Sequence, residues 1–224
     1  MAKPTNREFR EIFDAAASSY DAVGNPYTRA RRIEFVLASA KGRCLEIGAG
    51  TGEIARALSA GHDVTATDIS PKMVEEIRRK GLSAIVCDAE QLPFPDSTFD
   101  TVVSGEVIYY LDAPERFISE AYRVLKPGGT LILTSASHMA TLYDRVRMLL
   151  RKLGFEKMYF EDRMHRFPGA AYLKTLIRAG GFEVEETERL IVIPMRALDF
   201  LNRILEKTQL KYLAAFTAIK ARKI

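Results

Sequence analysis

Three glycines at alternate positions, Gly48, Gly50 and Gly52 in the run CLEIGAGTGE at 44–53, are the first residues that could do chemistry. Glycine lets a backbone turn sharply and approach a ligand where a Cβ would intrude. The run joins a short apolar stretch to a helical one, which puts the turn at a strand C-terminus, where open α/β sheets bind ligands. Its register is G-x-G-x-G, and Glu53 stands where a dinucleotide fingerprint has a small residue. A carboxylate there disfavours a pyrophosphate, and so a nicotinamide or flavin cofactor. No Gly-Lys-Ser/Thr follows, which removes a Walker loop. Two acids accompany the turn: Asp68 ends the next strand pattern in TATDIS, and Asp88 the third in VCDAEQLPF. The first could accept both hydroxyls of a ribose, the second an exocyclic amine of adenine. Either acid alone fits an ordinary helix cap or turn aspartate. Three such features at successive strand ends point to a single nucleoside site.

The elements that must position these residues alternate. Residues 7–19 and 28–40 read as amphipathic helices, broken at Gly24-Asn25-Pro26. Strands are predicted at 43–47, 63–67, 83–87, 100–104 and 130–134. Helices are predicted at 52–60, 71–80 and 114–124, with Lys126-Pro127-Gly128-Gly129 as a turn. Further on, the pattern predicts a helical stripe (Met139, Leu142, Val146, Leu149, Leu153), a helix at 168–179 closed by Gly180-Gly181, a strand at 182–193, a helix at 197–213 and a strand at 216–223. Alternating strands and helices imply a mostly parallel α/β sheet covered on both faces.

Composition narrows the class. The chain has 224 residues, 47% hydrophobic and 28% charged, so one globular domain is expected and wholesale disorder is not. No apolar run reaches the roughly 20 residues of a membrane span, and the charged start MAKPTNREFREIF lacks the core of a signal peptide. Two cysteines, Cys44 and Cys87, exclude a disulfide scaffold; on strands separated by a third they sit about 9.6 Å apart, out of bonding reach. His62, His138 and His165 show no metal-ligand spacing, so no metal is expected. These features predict a cytoplasmic location. The last 84 residues hold 17 basic against 10 acidic residues, a surplus that suits an anionic partner or plain solubility.

Taken together, EIGAGTG, the Asp at the second strand end, DAEQLPFPDSTFD and EAYRVLKPGG resemble the class I S-adenosylmethionine-dependent methyltransferases, and within them the ubiquinone/menaquinone-biosynthesis-like small-molecule subgroup. The likeness covers residues 9–135. It implies a Rossmann-like three-layer sandwich, with a seven-stranded sheet whose last strand is antiparallel and a helical lid. Helices at 1–40 would precede a cofactor-binding core at 41–138, with lid insertions at 139–167 and 194–213. It implies S-adenosylmethionine as cofactor, with Glu46, Gly48, Ala49, Gly50 and Gly52 in its loop. Asp68 would lie at the ribose, Ile69 and Met73 beside the adenine, and Asp88 and Ala89 at the adenine edge. Ser104 and Gly105 would lie near the methionine part, and Tyr20, from the motif at 13–21, would touch the cofactor.

The chemistry so implied is attack on a sulfonium methyl with a neutral thioether leaving, so the protein's task is alignment and exclusion of water. On the acceptor side, Glu106 could serve as base, bind an ammonium group or cap a turn. His138 could be a base or a hydrogen-bonded loop histidine. Tyr20, Tyr109 and Tyr110 could line the pocket, whereas His62 falls at the wrong sheet edge. The acceptor is expected to be a small apolar or amphipathic molecule. Arg145, Arg147, Arg151 and Lys152, beside the apolar stripe, suggest a peripheral membrane-surface contact. Nucleic acid is disfavoured, since basic residues are scattered and no Asn-Pro-Pro-Tyr follows the fourth strand. The alternatives are an RNA methyltransferase or a non-catalytic scaffold of the same fold.

Overall fold

In the computed structural model, which describes residues 5–22, 26–141, 143, 167–191 and 199–224, seven strands form one sheet of order β3-β2-β1-β4-β5-β7-β6. The strands are β1 (Arg43–Ile47), β2 (Asp63–Asp68), β3 (Ser83–Val86), β4 (Phe99–Gly105), β5 (Leu125–Ala136), β6 (Phe182–Leu190) and β7 (Phe216–Lys223). The first five pair in parallel, and β7 runs antiparallel to both β5 and β6. The expected mostly parallel sheet with an antiparallel last strand is therefore the fold. β1 has β2 on one side and β4 on the other, which makes its end the point where strand order reverses, and a crevice opens there in such sheets.

Strand alternation divides the core in two. Leu45, Ile47, Val102, Leu131 and Leu133 face α5 (Pro114–Val124) and α6 (Ala170–Ala179), where Phe117, Ile118, Leu173 and Ile177 are buried. Their neighbours Cys44, Val103, Ile132 and Ala218 face α2 (Pro26–Ser39), α3 (Glu53–Leu58) and α4 (Pro71–Arg79), through Phe35, Val36, Ile54, Leu58, Val74 and Ile77. That makes three layers. The amino-terminal helix α1 (Asn6–Ala16) begins with a capping box between Thr5 and Glu8 and runs into a 3₁₀ turn at Ala17–Ala22.

Three expectations need adjustment. β5 begins at Leu125, not at 130; Leu125 pairs with Phe99 and Thr130 with Thr101, so Lys126-Pro127-Gly128-Gly129 bulges out within a longer strand. The helix expected at 197–213 is two short pieces, α7 (Asp199–Leu205) and a 3₁₀ turn at Gln209–Leu213. Thr208 separates them, its hydroxyl donating to the Leu205 carbonyl and accepting from Leu210 N–H. β3 ends at Val86, which leaves Cys87 and Asp88 just beyond it. Both cysteines are free; Cys44 is on β1 and Cys87 just past β3, and β2 lies between those two strands. Most of the apolar stripe at 139–153, with Arg145, Arg147, Arg151 and Lys152, and His165 lie outside the described residues.

Phe117 is fully buried at the centre of the larger core. Phe117→Ala is expected to cost about 3–5 kcal/mol of unfolding free energy, read from urea titration; a loss below about 1 kcal/mol would mean that α5 is not seated as described.

Candidate active site

The carboxyl ends of β1, β2 and β4 lie in register, with Ile47 opposite both Thr67 and Ser104. The glycine turn follows β1, and Gly48, Gly50 and Gly52 all have positive φ, at 69°, 55° and 82°. Their missing side chains serve different neighbours. A Cβ on Gly48 would fall 2.2 Å from Val107 Cγ2, and one on Gly52 3.0 Å from Ile77, so both positions are closed by packing. A Cβ on Gly50 would lie 3.3 Å from the Tyr20 ring, on the open side of the turn. Asp68 fastens the loop: one carboxylate oxygen accepts from Gly50 N–H at 2.8 Å and the other from Ser70 N–H at 2.9 Å. Burial nevertheless pushes its pKa up to about 6.

Over this edge the fold leaves a cavity of about 430 Å³, within the range of small-molecule sites. Its roof is the amino-terminal segment, latched at three points. Asn6 Nδ2 donates to Asp88 at 3.1 Å, Asp14 accepts from the Ser70 hydroxyl and from Lys72 N–H, and Asp21 accepts from Thr51 and Lys80. Among the described residues, two buried polar atoms on the cavity wall lack a hydrogen-bond partner, Glu46 Oε2 and Arg32 Nε. Glu46 stands on the α2/α3 face of β1, where alternation calls for an apolar residue. Burial, with the Asp68 charge beside it, raises its pKa to about 8, against the opposing pull of the Ala55 N–H and Arg32. A carboxyl oxygen and a guanidinium N–H left without partners on one cavity wall suit a ligand that brings both a donor and an anionic acceptor.

At the other end the wall is aromatic. Phe9 and Phe13 of α1 meet Tyr110 edge-on at 5.0 and 5.3 Å, Tyr110 lies 4.6 Å from Tyr109, and Tyr109 meets Phe167 at 4.9 Å. Glu106 sits between the polar and aromatic ends with φ +63°, a conformation that is uncommon outside glycine. Its carboxylate accepts from Ala136 N–H at 2.7 Å, Thr134 Oγ1 at 3.1 Å and the Tyr109 hydroxyl at 3.2 Å, with Arg32 at 3.7 Å. Burial raises its pKa above the usual carboxylate range.

Of the residues singled out in the sequence, Tyr20, Glu46, Gly48, Ala49, Gly50, Asp68, Ile69, Asp88, Ala89, Gly105, Glu106, Tyr109 and Tyr110 surround this cavity. Four do not. Met73 is fully buried under the Ser70 cap, Ser104 bonds the Ile47 carbonyl between strands, and Gly52 caps α3. His138 is exposed and is not among the lining residues, so the structure gives no support to a base there. Sequence reading missed Arg32 and the α1 aromatics, because both lie on helices whose stripes read as plain amphipathicity. The signal for Arg32 was the cluster Arg29, Arg31, Arg32. Its members diverge, Arg29 pairing with Glu53 at 2.6 Å on the cavity and Arg31 with Glu206 at 3.0 Å elsewhere.

A family model described as a methyltransferase domain matches residues 45–133. The ubiquinone/menaquinone biosynthesis C-methyltransferase of Desulfotalea psychrophila is 31% identical over 199 residues, 77% of this chain and 81% of its own. The chain belongs to this family of class I S-adenosylmethionine-dependent methyltransferases. It uses S-adenosylmethionine and acts on a small molecule. The 2-methyl-6-phytyl-1,4-hydroquinone methyltransferase 2 of Oryza sativa subsp. japonica is 39% identical over 184 residues, 76% of this chain and 49% of its own. Among solved structures, a methyltransferase of Thermotoga maritima described as a possible histamine N-methyltransferase superposes with a TM-score of 0.70. It covers 96% of this chain and 99% of its own at 24% identity, a likeness of fold alone.

The cavity of this methyltransferase fits that cofactor. The bare Gly50 leaves room that any Cβ would fill, and the two unpartnered atoms suit a molecule bearing an ammonium, a sulfonium and a carboxylate. Two outcomes follow. Gly50→Val is expected to keep its circular dichroism spectrum and lose measurable S-adenosylmethionine binding; retained affinity would make the turn purely structural. Glu46 keeps its proton in the fold between about pH 4, where it ionises when unfolded, and its folded value of about 8. Its contribution to stability therefore falls as pH rises through that window and levels off above it. A cationic ligand reverses the preference, so calorimetry should show affinity rising towards pH 8 with proton release, and a weaker, flatter profile in Glu46→Gln. An unchanged profile in that variant would detach Glu46 from the ligand.

Proposed function

We propose that this methyltransferase methylates an aromatic acceptor of the quinol class, apolar or amphipathic, bound against the wall of Phe9, Phe13, Tyr109, Tyr110 and Phe167. That wall is the observation that carries the reading, since ring-on-ring contact rewards a planar apolar guest. Two relatives whose names specify ubiquinone/menaquinone biosynthesis and a phytyl-hydroquinone point the same way. In this reading Gly48, Ala49 and Gly50 present backbone to the cofactor, Asp68 takes its ribose, and Ile69, Asp88 and Ala89 border its adenine. Glu46, Arg32 and Gly105 border its amino-acid end, with Tyr20 closing over Gly50. S-Adenosylmethionine supplies an electrophilic methyl whose departure leaves a neutral thioether.

The chain's own residues then have limited work. The aromatic wall orients the ring, and the roof of α1 excludes water. Glu106, pinned by three donors and raised in pKa, accepts the proton that the acceptor's hydroxyl or ring carbon must lose. Arg32, 3.7 Å from that carboxylate, offsets its negative charge until the proton arrives. A carbon–carbon bond forms as the carbon–sulfur bond breaks, so no further group is required.

Transfer of labelled methyl from S-adenosylmethionine to quinols with and without apolar tails, beside primary amines, tests the assignment. Quinols are expected to be turned over and amines not; the opposite preference would overturn it. Glu106→Gln should lower kcat by about 100-fold or more with little change in KM. Phe13→Ala should mainly raise KM for the acceptor.

A further inference from the structure

Away from the cavity, α7 and the 3₁₀ turn after it carry their apolar side chains outward. Phe200 and Ile204, one helical turn apart, are 71% and 63% exposed, whereas Asn202 on the opposite side of α7 is fully buried. Leu210 and Leu213, three residues apart as a 3₁₀ turn requires to share a face, are also exposed, with Tyr212 between them. This is the reverse of the usual order, in which a surface helix turns its polar side to water. Phe200, Ile204, Leu210 and Leu213 are all left open to solvent.

The same segment borders a polar cleft of about 510 Å³ lined by Arg31, Lys174, Arg189, Arg203, Lys207 and Lys211 against only two acids, Glu188 and Glu206. The acids are spent locally. Glu206 accepts from Arg31 Nε at 3.0 Å and Ile191 N–H at 2.7 Å, and Glu188 lies 3.6 Å from Arg31. Arg203 approaches Glu34 at 3.4 Å, and Arg189 lies over the Tyr212 ring at 5.0 Å. Lys174 and Lys207 have no acidic partner among the described residues. A plain solubilising face would mix charges and omit the phenylalanine; a core face would omit the cations. Exposed apolar groups beside a cleft whose cations outnumber its acids, Lys174 and Lys207 among them, are the makeup of an interfacial lipid-binding surface, in which the apolar groups enter the headgroup boundary and the cations meet phosphates.

We propose that α7 and the 3₁₀ turn Gln209–Leu213 dock this protein on an anionic lipid surface, with Phe200, Ile204, Leu210 and Leu213 inserted and the cations of the adjoining cleft at the phosphates. The apolar residues select a lipid surface over a free phosphate or RNA, neither of which gives them cover. The docking does not rest on the acceptor assignment, because none of these residues lines the cofactor cavity.

The test uses the full chain and vesicles of phosphatidylcholine with or without phosphatidylglycerol, floated at low and high salt. The chain contains no tryptophan, so Phe200→Trp provides a single reporter. Flotation with the phosphatidylglycerol vesicles at low salt, release at high salt, and a blue shift of the Trp emission on those vesicles alone are expected. The pair Lys207→Glu with Lys211→Glu should lower vesicle affinity by about tenfold or more, and Ile204→Ser should lower it while leaving S-adenosylmethionine affinity unchanged. No flotation at low salt, or flotation unaffected by both sets of variants, overturns the proposal. So does a dimer in sedimentation that Ile204→Ser dissociates, or saturable binding of single-stranded RNA without a Trp shift on vesicles.

Discussion

The Asp68 carboxylate, buried and bonded to Gly50 N–H and Ser70 N–H, is the constraint on which the site depends. It ties the turn after β1 to the turn after β2, and so fixes the distance between the two strand ends that a nucleoside would bridge. The interaction is charge-assisted, worth about 1.5–3 kcal/mol, yet it is made by a group that burial pushes towards its neutral form. The loop can take this shape only because three glycines accept positive φ, and two of them also have no room for a Cβ. The roof depends on the same corner: Asp14 reaches Ser70, the residue that Asp68 itself holds, and Asp21 reaches Thr51 beside Gly50.

The polar half of the cavity works against the stability of the protein without ligand. Glu46 and Arg32 each leave a buried polar atom unpartnered, and Glu46 stands where its strand neighbours Cys44 and Val103 are apolar. Such groups cost stability unless something completes them. A zwitterionic sulfonium compound answers both, which is why the family membership and the cavity chemistry agree. The aromatic half behaves differently. Its rings pack against one another, and the Tyr109 hydroxyl also ties the wall to Glu106.

Much of this was legible in the sequence, and for physical reasons. Strand period and glycine spacing are local properties, so β1, α5 and β7 fell at their predicted bounds, and Gly50, Asp68 and Asp88 met at one sheet edge. Partners chosen by tertiary contact were not legible. Arg32 differs from Arg31 only in which way the helix turns it. Met73 and Ser104, which the resemblance places at the cofactor, are buried in the core and do not line the cavity. The bulge at Lys126-Pro127-Gly128-Gly129 showed as a turn because its residues are turn formers, whereas Leu125 rejoins the sheet through pairing with Phe99. Thr208 broke the expected last helix by a local side-chain bond that apolar periodicity does not register.

The central claim is that this sheet edge is built for a sulfonium nucleoside and not for a dinucleotide. Calorimetric titration of the full chain with S-adenosylmethionine, S-adenosylhomocysteine and NADH tests it most directly. The account predicts saturable one-to-one binding of both sulfur nucleosides and no heat from NADH. Binding of NADH, or no binding of either sulfur nucleoside, would contradict it.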